Sequence, residues 1–181
     1  ELYDAVPGLI LTGFFSALVA FIFMKSLMYH SKISSSLHLP FCYRPFIPAL
    51  ICGFIGMFLP EVIGLGSETI SNIITTIHPI QFLLLLLILK IFLSSLCIGF
   101  GLFGGVLSPA MLIGVCCGAI IYNLSFFGDN ESLNAILAIS GMAAVSSSVI
   151  GAPITAIILV FELTGSYNYA IASIFPIALS N

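Results

Sequence analysis

The run Gln81–Ile98 constrains this chain more than any other stretch. It holds eight leucines, six of them in Leu83–Leu87 and at Leu89, and one charge, Lys90. A segment this apolar and of about 20 residues is a membrane helix, because hydrocarbon satisfies no backbone polar group and a helix satisfies its own. The rest of the chain agrees: 60% of residues are hydrophobic, 6% are charged, and mean hydropathy is +1.26. A soluble domain carries about 25% charged residues. The expected class is all-α integral membrane, with no soluble domain. No basic stripe is present, which excludes nucleic acid as a partner.

Other spans surround this one. Leu9–Tyr29 is a clean spanning segment, with Gly13, Ser16, Ala17 and Ala20 available for close helix contact. Lys25, Lys32 and Arg44, three of the four basic residues, fall at its end and in the loop before Pro45. The positive-inside rule places this 25–44 loop in the cytoplasm, with His30 and His38 as solvated interfacial residues. Phe46–Leu59 is apolar but short and ends at Pro60-Glu61. Glu61–Ile80 reads as a loop and a short helix that Glu68 opens. Val106–Phe127 is a helix with a small-residue face at Gly114 and Gly118. After a polar turn at Phe127–Glu131, Leu133–Ile150 is half apolar and half small. Gly151-Ala152-Pro153 breaks it, Ile154–Leu163 is too short to cross alone, Thr164–Asn168 is a turn, and Tyr169–Ser180 begins another helix. Short and interrupted apolar helices are the pattern of transporters whose half-helices meet at an ion site.

The break at Gly104-Gly105-Val106-Leu107-Ser108-Pro109-Ala110 is the candidate site. Two glycines let backbone run close to itself or to a ligand, and Pro109 suits the first turn of a helix. Helix N-terminal amides carry partial positive charge and bind anions without a basic side chain. Full positive charge would hold an anion too long for conduction. The residues alone admit two readings of this segment: an anion site built of main chain, or an ordinary loop between membrane helices.

Individual side chains divide the same way. Ser108 caps the helix or touches an ion. Lys90, costly at membrane depth, reads first as a structural lysine paired with a carbonyl or carboxylate. Glu162 reads as a structural acceptor before a proton-path carboxylate. The five cysteines (Cys42, Cys52, Cys97, Cys116, Cys117) lack metal-ligand spacing and read as small buried hydrophobes. No nucleophile–base pair recurs in the spans, so no catalytic residue, metal or cofactor is expected and the chain is not read as an enzyme.

At Gly105-Val106-Leu107-Ser108-Pro109 the chain resembles the CLC family of chloride channels and proton/chloride antiporters, which carry Gly-x-Phe-x-Pro at the start of a helix lining the anion site. Pro60-Glu61-Val62-Ile63-Gly64-Leu65-Gly66 resembles the family's Pro-Glu-x-x-Gly-x-Gly loop. Lys90 stands where many members have a basic residue before the filter. Gly141-Met142-Ala143-Ala144, Ala152-Pro153-Ile154-Thr155-Ala156 and Phe161-Glu162-Leu163-Thr164-Gly165-Ser166-Tyr167 follow in family order.

The resemblance implies a CLC-like second inverted repeat with tilted and discontinuous helices, residues 1–181 covering roughly helices J to Q of the membrane domain. It implies chloride as ligand and substrate, the amides of Val106 and Leu107 as its donors, and a homodimer whose interface takes in Ile154–Leu163 and Tyr169–Ser180. It also implies a partner for this stretch, the N-terminal half of the same membrane domain, since the family's first-half motifs, including the gating glutamate, are absent here. Leu107 replaces the family's Phe, which changes the pore lining more than the amide chemistry. The alternative function is a truncated, non-conducting remnant or assembly partner of a split transporter.

Overall fold

A computed structural model of the chain describes residues 2–36, 43–63, 66–102, 104–125 and 131–180. Among them are eight α-helices and one 3-10 turn, and no strand: α1 (Leu2–Ser36), α2 (Phe46–Phe58), the turn Pro60–Val62, α3 (Ser67–Thr75), α4 (Ile80–Gly99), α5 (Leu107–Leu124), α6 (Glu131–Ile150), α7 (Pro153–Thr164) and α8 (Tyr167–Ser180). Four of these, α1, α4, α5 and α6, are long and apolar enough to cross a membrane, while α2 and α7 are apolar but shorter. The sequence expectation of full spans interleaved with short helices holds.

The centre is the α5–α6 pair, which makes the most extensive contact in the molecule. Small residues cause it. A Cβ added at Gly114 would meet the Gly141 carbonyl oxygen at 2.5 Å, and one at Gly118 would run into the Leu137 carbonyl. Gly141 faces Gly114 and Gly118 in return. Backbones this close gain dispersion contact that larger side chains would prevent, the main attraction between helices where lipid is as apolar as the helix surface. Around this seam α6 packs on α8 and α1, and α1 on α8 and α4. Leu112, Ile113, Val115, Ala138, Val145 and Phe23 fill the shared core.

Left-handed glycines end two helices. Gly151 (φ 72°) closes α6, its N–H donating to the Ser147 carbonyl at 2.7 Å, and Pro153 then starts α7. Gly165 (φ 62°) ends α7 with a 2.8 Å bond to the Phe161 carbonyl. A side chain at either would be strained.

Three expectations change. The 25–44 loop is not a loop through most of its length: α1 continues to Ser36, so Lys25, His30 and Lys32 are helical, and only 43–45 is seen as a turn. His30 is not solvated. It is 9% exposed, its Nδ1–H donates to the Ser26 carbonyl at 2.9 Å, Ser95 Oγ lies at 3.2 Å from the same nitrogen, and Phe92 meets it edge-on. It thus ties α1 to α4, where Gly99 leaves room for it. Finally, α8 begins at Tyr167, two residues before the expected start. His38, Cys42, Gly64, Leu65 and the turn residues 126–130 lie outside the described residues.

Candidate functional site

Helix α5 starts at Leu107, within the predicted window, with Val106 as its N-cap in helical geometry (φ −77°, ψ −22°). The intrahelical ladder opens with Ala110 N–H donating to the Val106 carbonyl at 3.2 Å. The amides of Val106, Leu107 and Ser108 therefore precede the ladder, and Pro109 contributes none. Gly104 and Gly105, just ahead, are exposed, and a Cβ at either would meet nothing within 4 Å. Nothing in the described chain packs against them there. They leave open space before the positive end of a helix.

That space is part of a cavity of about 360 Å³ lined by Gly104, Gly105, Ser108 and Pro109 on one side and by Lys90, Ser94 and Cys97 on the other. Val62 and Ile63 at the 3-10 turn, Leu93 and Ile98 of α4 and Cys52 of α2 complete it. The expected site residues Gly105, Ser108 and Pro109 are thus brought together on one wall. Val106 is half-buried against the core, and the Leu107 side chain is 36% exposed.

Lys90 is 4% exposed, and its Nζ donates to the Val62 carbonyl at 2.9 Å. This is the carbonyl-paired lysine expected from the sequence. Its ammonium ties the Pro60–Val62 turn to the middle of α4, beside the glycines that precede α5. No carboxylate is among the described residues that line the cavity.

Glu162 is exposed near the end of α7, away from this cavity. Cys116 and Cys117 are fully buried hydrophobes, as expected. Cys52 and Cys97 are not: both are half-buried, both line the cavity, and their sulfurs lie 3.1 Å apart. Ser94 and Cys97 were legible by register alone. Lys90, Leu93, Ser94, Cys97 and Ile98 follow the i, i+3, i+4, i+7, i+8 spacing of one helix face. Nothing in the sequence brings Cys52 to that face.

The start of α5 thus lies beside an open cavity, and comparison with known proteins identifies the lineage. The family model for the voltage gated chloride channel matches residues 2–181. The chain belongs to the voltage-gated chloride channel (CLC) family. Among CLC relatives, the uncharacterized protein MJ0305 of Methanocaldococcus jannaschii is 32% identical over 162 residues, covering 90% of this chain and 40% of that protein. The voltage-gated ClC-type chloride channel ClcB of Escherichia coli is 35% identical over 127 residues, 66% of this chain and 29% of ClcB. The crystal structure of a slow cyanobacterial Cl−/H+ antiporter has the same fold, with a TM-score of 0.84 over 98% of this chain and 42% of that one at 22% identity. The chain is an integral membrane protein of CLC fold, and it spans less than half the length of the relatives it matches.

Proposed function

We propose that this chain supplies one part of a transmembrane chloride pathway, in which the anion is held by main-chain amides at the start of α5. The carrying observation is the open turn at Gly104–Gly105 in front of amides that precede the helical ladder. Val106 and Leu107 are the donors. Gly105 gives the ion room, Ser108 and Pro109 shape the wall, and the Leu107 side chain lines the approach. Partial charges of amides and a helix dipole bind a halide firmly enough to enter and weakly enough to leave. Lys90, engaged with Val62, stands on the facing wall of the same cavity.

The remainder of the pathway comes from the N-terminal half of the same membrane domain. Two copies pair through α7 and α8, whose exposed Ile154, Ile158, Ile171 and Phe175 support an apolar interface. The end of α1 that carries Lys25 and Lys32 faces the cytoplasm.

The test uses the full-length protein in liposomes loaded with chloride. Val106→Pro deletes one donor while keeping a φ that proline adopts (−77° here). A hydrogen bond to a charged group is worth about 1.5–3 kcal/mol, so chloride efflux is expected to change by roughly tenfold or more, with Val106→Ala close to wild type. Efflux in Val106→Pro equal to that of Val106→Ala would remove Val106 from the site. A wild-type protein that moves no chloride would overturn the function itself.

A further inference from the structure

The CLC reading uses α5 and Lys90 and leaves the two cavity thiols without a role. Cys52 on α2 and Cys97 on α4 are separated by 45 positions in sequence, yet their sulfurs are 3.1 Å apart. Both are half-buried, and both face the 360 Å³ cavity. Cys116 and Cys117 give the contrast. They sit at 0% exposure inside the core, where a cysteine serves as a small hydrophobe. Packing alone accounts for that buried pair. It does not account for two thiols turned toward each other on the wall of an open space.

The two helices that carry them touch directly. Helix α4 packs on both α1 and α5, whereas α2 packs against α4 and the Pro60–Val62 turn. A disulfide needs sulfurs about 2 Å apart, so closure asks for a movement of about 1 Å. Side-chain rotation and a small relative shift of α2 and α4 supply that.

We propose that Cys52 and Cys97 form a reversible redox site, closing into an intrachain disulfide when a small uncharged peroxide enters the cavity. One thiol, as its thiolate, attacks a peroxide oxygen. An S–O bond forms, the O–O bond breaks, and the departing hydroxide takes up the thiol's proton as water. The neighbouring sulfur then attacks the resulting sulfenic acid. The S–S bond forms, the S–O bond breaks, and the second hydroxide leaves as water with the second thiol's proton. Two thiols lose two electrons and two protons, and one peroxide becomes two waters. Two equivalents of a small thiol reverse the step by exchange and are themselves oxidised to a disulfide. The closed form staples α2 to α4 two turns beyond Lys90. The site does not depend on which ion the cavity carries.

The experiment uses the full protein in its native membranes and hydrogen peroxide as the probe. After quenching, the protein is denatured, alkylated and mapped by mass. Met57, 82% exposed on α2, reports the oxidant dose as its sulfoxide. The expected result is that two of the five cysteines in this stretch escape alkylation, with a peptide joining Cys52 to Cys97. Dithiothreitol restores both labels. Cys97→Ser gives no cross-link, and Cys117→Ser gives as much as wild type. Retention of all five labels at a dose that oxidises Met57 overturns the proposal. So does loss of the two labels without the joined peptide, or loss that dithiothreitol does not reverse.

Discussion

The seam between α5 and α6 and the turn that begins α5 use glycine for opposite ends. At Gly114, Gly118 and Gly141 a Cβ would strike backbone of the facing helix. At Gly104 and Gly105 it would strike nothing within 4 Å. The first group removes space so that two helices touch. The second leaves space that nothing in the described chain fills. Within one apolar chain, then, the same residue serves both a close helix–helix contact and an open turn. The two are distinguished by what faces the glycine across the fold and not by local sequence.

The contrast is broken most directly at the seam. Gly118→Ala places a Cβ into the Leu137 carbonyl region, and the obstacle is backbone that cannot rotate away. Overpacking of this kind costs about 1–3 kcal/mol and occasionally more. The expected outcome is a clear drop in thermal unfolding temperature in detergent and a reduced yield of monodisperse protein. A Gly118→Ala protein as stable as wild type would mean that the seam is looser than the contact implies.

Next in size is Lys90→Met, which keeps the apolar stem and removes the donor to Val62. Leaving that carbonyl without its lysine costs about 1–3 kcal/mol. The loss should appear as faster proteolysis or hydrogen exchange confined to the Pro60–Val62 turn, with the α5–α6 seam unaffected. Exchange that speeds up everywhere would show that Lys90 supports the whole bundle.

The smallest effect belongs to Gly105→Ala. With no neighbour to strike and no left-handed φ, the change in stability should stay within about 0.5 kcal/mol. Any change in chloride flux from this variant would then arise inside the cavity and not from unfolding. A destabilisation comparable to Gly118→Ala would erase the distinction between the two kinds of glycine.

Much of this was legible from residues. Apolar run lengths located the spanning helices, because hydrocarbon leaves the backbone little choice, and Gly and Pro located the breaks at 99–105 and 151–153. The carbonyl partner of Lys90 was legible as a class, since a charge at that depth must be met, but not as Val62, which arrives from 28 positions away. His30 was misread because its neighbours in sequence are polar and basic, whereas its neighbours in space, Phe92 and Ser95, come from α4. The length of α1 was misread for a related reason. Lys25, Lys32 and the serines after it look like a loop, yet none of them breaks a helix, and polar residues on an end that leaves the hydrocarbon cost nothing.

That length has a consequence. At about 1.5 Å per residue, the 35 residues of α1 measure roughly 52 Å, against about 30 Å of hydrocarbon. Tilts of up to about 40° bring the crossing length only to about 39 Å, so a stretch on the order of two helical turns or more must stand in the headgroup layer or beyond it. With Lys25 exposed over Phe21 and Lys32 exposed two residues past His30, the C-terminal end of α1 carries two cations. Because His30 fastens this helix to α4, the cationic end of α1 and the helix that carries Lys90 are joined side to side.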